Sequence, residues 1–154
     1  MGRLYRRKGG ATLIVVATEA ERKVAQERWV DEKIIVTGVG GLNVYKSLSQ
    51  FDKGTQIINF GYAGSNCIEI GTEVEVGKCS LYHPNVEYCE CSFDLDGDVE
   101  CCTSCDFVLQ TEIERPVVFD MELAFILAMG FKSVKSIKVV SDNLSLKQYE
   151  KLTE

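Results

Sequence analysis

The chain has 154 residues, 45% of them hydrophobic and 26% charged, which fits one globular domain over 1–154 with a core that needs no crosslinks. Its formal net charge of -6 excludes the basic face of a nucleic-acid binder and disfavours an anionic membrane surface. No stretch approaches the ~20 apolar residues of a membrane span, and an odd count of cysteines, 7, suits free thiols in a reducing, cytoplasmic compartment.

In chain order, the basic start MGRLYRRKGG precedes the apolar run ATLIVVAT, an order shared with signal peptides. The run passes straight into the charged EAERK with no cleavage-like region, so Thr12 to Ala17 is predicted as a buried strand. Glu19 to Trp29 is charged and helix-favouring, and Lys33 to Thr37 is a second short strand closed by Gly38-Val39-Gly40-Gly41. Leu42, Tyr45, Leu48 and Phe51 are spaced for one helical face. Gln56 to Phe60 is a third strand, ending in a glycine turn at Gly61. Strands separated by helices imply crossover connections.

Residues 72 to 109 alternate like strands, and Asp96-Gly97 between CSFDL and DVECC is a hairpin signal. The stripe Met121, Ala124, Phe125, Ala128 and Met129 predicts a buried helix stopped by Gly130. Val134 to Val140 is another strand, and Ser145 with Gln148 resembles a capping box for a short terminal helix. The expected fold is a three-layer α/β/α domain around a central mixed, mostly parallel sheet.

In such sheets ligands gather where the carboxyl ends of the strands meet their loops. That rule selects Thr18, Glu19 and Glu21 after the first strand, Gly38 to Asn43 after the second and Gly61 to Asn66 after the third. It also selects Ser141, Asp142 and Asn143 after the last. Glu21, Glu122 and Asp142 are then candidates to converge. Position alone leaves other readings open: Glu21 as an exposed helix residue, Glu122 as a first-turn acid, and Asp142 as a turn cap. GVGG and GYAGS allow close backbone approach, but neither is a P-loop, and GVGGLN fails the dinucleotide pattern at Asn43.

The segments ATEAE, TGVGGLN, INFGYAGS, GTEVEVGKCSLYH, CDF, FDMEL and VVSDN follow one another in this order. Together they resemble the methylthioadenosine/S-adenosylhomocysteine nucleosidases and purine nucleoside phosphorylases. The match lies in the N-x-G-x-A-G turn at Asn59 to Gly64, in Asp120-Met121-Glu122, and in Ser141-Asp142. The resemblance implies a nucleoside phosphorylase-like fold and cleavage of a purine nucleoside's N-glycosidic bond, with no cofactor and no metal. It implies Asp142 as the general acid facing the purine N7, Ser141 as a substrate-binding residue, and Glu21 as the group that positions or activates water. Glu122 would accept from the ribose hydroxyls, Met121 would pack on the sugar and Phe107 would stack on the base. Gly61, Tyr62, Ala63 and Gly64 would lie along the ribose.

The chemistry suits these residue types. Breaking the bond leaves positive charge on the sugar and negative charge on the base. An acid that protonates the leaving base typically contributes ~10²–10⁴-fold. A second carboxylate activating water on the opposite sugar face is the division of labour of inverting glycosidases.

Phosphorolysis is the alternative, with phosphate as second small molecule; a non-catalytic nucleoside-binding module is another. Phosphate needs backbone amides and a placed Arg, whereas Ala17-Thr18-Glu19-Ala20-Glu21 is acidic and Arg22 lies on a helix, which favours water. The family also implies a homodimer or larger homo-oligomer. This sequence departs from its pattern with Pro84 after His83, with Lys138 where an Arg is expected, with Tyr62 in place of a small residue, and in a shortened stretch between His83 and Cys105. His83, the only histidine, is expected to be structural or pocket-lining. Cys102-x-x-Cys105 with Cys89-x-Cys91 has near-zinc spacing, but buried strand thiols explain it as well.

Overall fold

The structure is a computed structural model that describes residues 11–83 and 91–152. Its elements are β1 (Thr12–Val16), α1 (Glu19–Arg28), β2 (Lys33–Val36), α2 (Gly41–Leu48), β3 (Gln56–Ser65), β4 (Glu73–Leu81), β5 (Ser92–Asp94), β6 (Val99–Thr103), β7 (Val117–Asp120), α3 (Leu123–Ala128), β8 (Ser133–Asp142) and α4 (Leu146–Leu152). The basic segment 1–10 and Pro84 and Cys89 lie outside the described residues.

The sheet is mixed and mostly parallel, as expected. β1 pairs in parallel with β2 and β3, and β3 with β8. β8 and β4 are antiparallel, β4–β6 and β6–β7 parallel, and β7 returns antiparallel to β3. The sheet therefore closes on itself through β3, β8, β4, β6 and β7, with β1 and β2 continuing from β3. The length of β3 makes this possible. Its first half pairs with β1, its last residues Gly64 and Ser65 pair with β7, and β8 runs along its other edge.

The alternation of β1 sorts the layers. Ile14 and Val16 pack with Ala25, Trp29 and Phe60 beneath α1, while Leu13 and Val15 pack with Val44, Leu48 and Ile126 of α2 and α3. Helices thus cover both faces.

Three local expectations are corrected. Residues 59 to 64 form no turn, because ladder pairing with β8 and β7 carries the strand through Gly61 and Gly64. Asp96-Gly97 makes no hairpin: β5 and β6 both pair with β4. The link between them crosses β4, where a Cβ on Gly77 would lie 2.1 Å from the Gly97 carbonyl oxygen. Finally, Val117–Asp120 is a strand, so α3 starts only at Leu123 and buries Leu123, Ala124 and Ile126, with Ala128 exposed.

Candidate active site

A cavity of about 240 Å³ opens at the carboxyl ends of β1, β3, β7 and β8. Glu21, Glu122 and Asp142 all line it, together with Phe107, Met121, Tyr62, Ala63, Gly64 and Ser141. Gly61 does not line it. It stands behind Glu21, where a Cβ would come within 2.9 Å of Glu21 Oε2.

Each carboxylate is held by short local rules plus one distant contact. Thr18 caps α1 and accepts the Glu21 amide at 3.2 Å, while Glu21 Oε1 accepts the amides of Ala17 at 2.8 Å and Thr18 at 3.2 Å. Its Oε2 accepts the amide of Tyr62 on β3 at 2.9 Å. The exposed-helix reading of Glu21 is overturned, because this carboxylate is buried. Burial pushes the Glu21 carboxyl above the ordinary carboxylate range, against the pull of the Tyr62 amide, Lys138 and the other two amides.

Glu122 follows β7 and stands at the N-cap of α3. Its Oε2 accepts the Gly40 amide at 2.9 Å from the glycine loop before α2. Gly40 has φ 93°, a left-handed conformation that glycine adopts readily. Burial, then the charge of Asp120, raises the Glu122 carboxyl to about 7.

Asp142 ends β8 at a β-bulge. Ala63 pairs with Val140 and Gly64 with Asp142, leaving Ser141 as the extra residue. Ser141 Oγ donates to Asp142 Oδ1 at 2.6 Å, and the amides of Leu144 and Ser145 donate to Oδ2 at 3.0 and 3.2 Å. The turn-cap reading of Asp142 therefore holds as well as its place in the cavity. Ser145 accepts the Gln148 amide at 3.2 Å, but the Gln148 side chain accepts from Asn143 instead, so the expected capping box is half formed.

The apolar wall is built by Phe107, Val108, Phe119, Met121 and Leu144. Tyr149 of α4 meets Phe107 edge to face, with ring centroids 5.6 Å apart. Burial, then Glu21, Glu122 and Asp142, raises the Tyr149 phenol. Sequence reasoning passed over Tyr149, which lies in a helix with no buried residue, and over Asp106 and Leu144.

It also passed over a buried pair. Lys138 Nζ lies 3.0 Å from Asp120 Oδ2. Burial opposes both charges. Even so, Lys138, the Thr103 hydroxyl and the Leu123 amide hold the Asp120 carboxyl below its usual range, and Asp120 holds the Lys138 ammonium above its own. Asp120 stands within the quoted FDMEL segment, but nothing in the spacing pairs it with Lys138.

His83 is exposed and does not line the cavity, so of its two expected roles the pocket-lining one is corrected. Cys67, Cys79, Cys101, Cys102 and Cys105 are free thiols. Cys102 is buried with Val108, Val117 and Phe119, whereas Cys105 is exposed. Among the described residues no group of three or more His, Cys, Asp and Glu is placed to hold a metal; the proposed set with Cys89 lies partly outside them. Among them too, no helix is long and apolar enough to cross a membrane.

The chain has an α/β fold with a closed, mostly parallel sheet, helices on both faces and an acidic cavity at its strand ends. Solved structures share it. An MTAN from Chlamydia trachomatis bound to adenine superposes with a TM-score of 0.75 at 15% identity, covering 93% of this chain and 89% of that one. The S-adenosylhomocysteine nucleosidase from Streptococcus pyogenes in complex with 5-methylthiotubericidin gives 0.73 at 17% identity, covering 93% and 89%. Futalosine hydrolase of Helicobacter pylori gives 0.72 at 13% identity, covering 94% and 91%. No family profile and no curated protein matches the sequence.

Proposed function

We propose that this chain is a purine nucleoside hydrolase acting on methylthioadenosine-like or adenosine-like nucleosides, as a single domain. The observation that carries this reading is the convergence of Glu21, Glu122 and Asp142 on one cavity with an apolar wall. Asp142 is the general acid to N7 of the leaving base, oriented by the Ser141 hydroxyl. Glu21 positions water on the opposite face of the sugar, and Glu122 accepts from the ribose hydroxyls. Met121 packs on the sugar, Phe107 stacks on the base, and the strand residues Tyr62, Ala63 and Gly64 run along the ribose. The neighbours named above are two nucleosidases and a futalosine hydrolase, one solved with adenine and one with 5-methylthiotubericidin, which supports the same class here.

Water is favoured over phosphate because every charged residue lining the cavity is an acid: Glu21, Asp106, Asp120, Glu122 and Asp142. Arg22 is engaged by Glu19 instead and does not line the cavity. The test is base release from methylthioadenosine and adenosine, with and without inorganic phosphate. Hydrolysis predicts equal rates in both, and Asp142→Asn abolishes release while the fold is kept. Phosphate-dependent release, or unchanged turnover by Asp142→Asn, overturns the assignment.

The protein is also proposed to act as a homodimer or larger homo-oligomer in the cytoplasm. Val36, Val39, Leu42 and Tyr45 are exposed, and Val39 lines the cavity as well, which supports a neighbouring subunit at its mouth. Light scattering that returns a monomer at working concentration refutes that assembly.

A further inference from the structure

Lys138 and Asp120 have no part in the chemistry above, although they are an ion pair within the core. Burying two charges is costly, and such a pair is weak evidence for stability by itself. Its contacts give it another meaning. Asp120 Oδ2, the atom that meets Lys138, also accepts the backbone amides of Leu123 at 2.8 Å and Glu122 at 3.3 Å. Oδ1 accepts the Thr103 hydroxyl and the Cys101 thiol, and Thr103 Oγ1 in turn accepts the Ala124 amide at 3.0 Å. The backbone that carries Glu122 is thus pinned from β7 and β6, and Lys138 on β8 holds the pin.

Charge points the same way. Glu122 is faced by Asp120 from β7, Lys138 from β8, Glu21 from α1 and the Gly40 amide from the loop before α2. Lys138 is the one buried cation among the described residues. Without it these acids face one another in a region of low dielectric.

We infer that Lys138 and Asp120 are positioning residues for the ribose-binding carboxylate: Asp120 fixes the backbone of Glu122, and Lys138 anchors Asp120 and balances the acidic cluster. The inference rests on the role proposed for Glu122. Lys138 touches no substrate; it acts through Asp120.

Steady-state base release from methylthioadenosine, measured across the neutral pH range, tests this with Lys138→Met, Lys138→Arg and the double variant Asp120→Leu/Lys138→Met. Lys138→Met raises KM roughly tenfold or more, the scale of a lost charged hydrogen bond. It also moves the acidic limb of kcat/KM to higher pH, because the cation favouring ionised Glu122 is gone. Lys138→Arg keeps the charge and keeps the limb in place. If Lys138→Met does not fold, the double variant leaves no orphaned charge, folds, and shows the same rise in KM. A folded Lys138→Met with wild-type KM and an unmoved limb, or a folded double variant with wild-type KM, overturns this inference alone. A wild-type protein that releases no base overturns the proposed function, and this inference with it.

Discussion

Gly64 and Asp142 face one another in the β3–β8 ladder, so closely that a Cβ on Gly64 would lie 2.8 Å from Asp142 Oδ2. The atom approached is the one that accepts the Leu144 and Ser145 amides and so ties the cavity wall to the start of α4. Gly64 therefore sets where the acid sits.

Gly64→Ala should displace the Asp142 carboxylate while leaving the ladder intact, since Gly64 has no positive φ that would strain an alanine. With Asp142 in its proposed role, a displaced acid loses much of its ~10²–10⁴-fold contribution, so kcat falls by at least about tenfold with KM changed far less. Steady-state kinetics beside near-ultraviolet circular dichroism checks this, and wild-type kcat in a folded variant contradicts it.

The Glu122 carboxyl, raised to about 7, predicts a titration in the working range. If the ionised form accepts from the ribose hydroxyls, kcat/KM falls as pH drops through about 7. Glu122→Gln, which cannot titrate, loses that limb along with much of the affinity. A wild-type profile flat from neutral to mildly acidic pH rules out this role.

The same shift has a consequence for stability. A carboxyl raised in the folded state binds its proton more tightly there than in the unfolded chain. Below its ordinary value of 4.5 both states are protonated and nothing is lost. As pH climbs from there to about 7 the unfolded chain ionises first, and stability declines. Above that window the penalty levels off at about 3 kcal/mol by linkage. Glu122→Gln should therefore raise the melting temperature on the alkaline side of neutrality and leave it unchanged in mild acid. Equal melting shifts at both pH values count against a buried, strained carboxylate.

Much of this site is legible in the sequence because it is built from short-range rules. The Thr18–Glu21 spacing is that of a capping box, and Asp142 sits where a strand gives way to a helix. What the spacing omits is the distant partner. Glu21 is buried because the Tyr62 amide reaches it from β3, and Lys138 reads as one polar position in an alternating strand until Asp120 is set against it. The glycines show the same ambiguity. Gly61 and Gly64 look like turn formers, yet both lie in a paired strand and serve close approach to Glu21 and Asp142. A missing Cβ suits either purpose, and only the neighbouring segment decides.

Gly77 and Gly97 carry that logic into the fold. A Cβ on Gly97 would lie 2.2 Å from the Glu75 carbonyl oxygen, and one on Gly77 would lie 2.1 Å from that of Gly97. Both obstacles are backbone, which cannot rotate aside. The crossing is also hydrogen-bonded, with the Leu95 amide donating to the Gly77 carbonyl at 2.9 Å and the Gly97 amide to that of Val76 at 3.0 Å. Either glycine replaced by alanine must therefore part the two segments and break those bonds. The loss should be about 3 kcal/mol or more, at the upper end of overpacking costs. Because β4 is where β8 and β6 join the closed sheet, the damage spreads to the ladder that supports Lys138. Denaturant unfolding of Gly77→Ala and Gly97→Ala measures this, with Gly71→Ala as the comparison: Gly71 has open space around its Cβ and pays only for its φ of 95°. If Gly77→Ala and Gly97→Ala are no less stable than Gly71→Ala, the tight crossing of β4 is wrong.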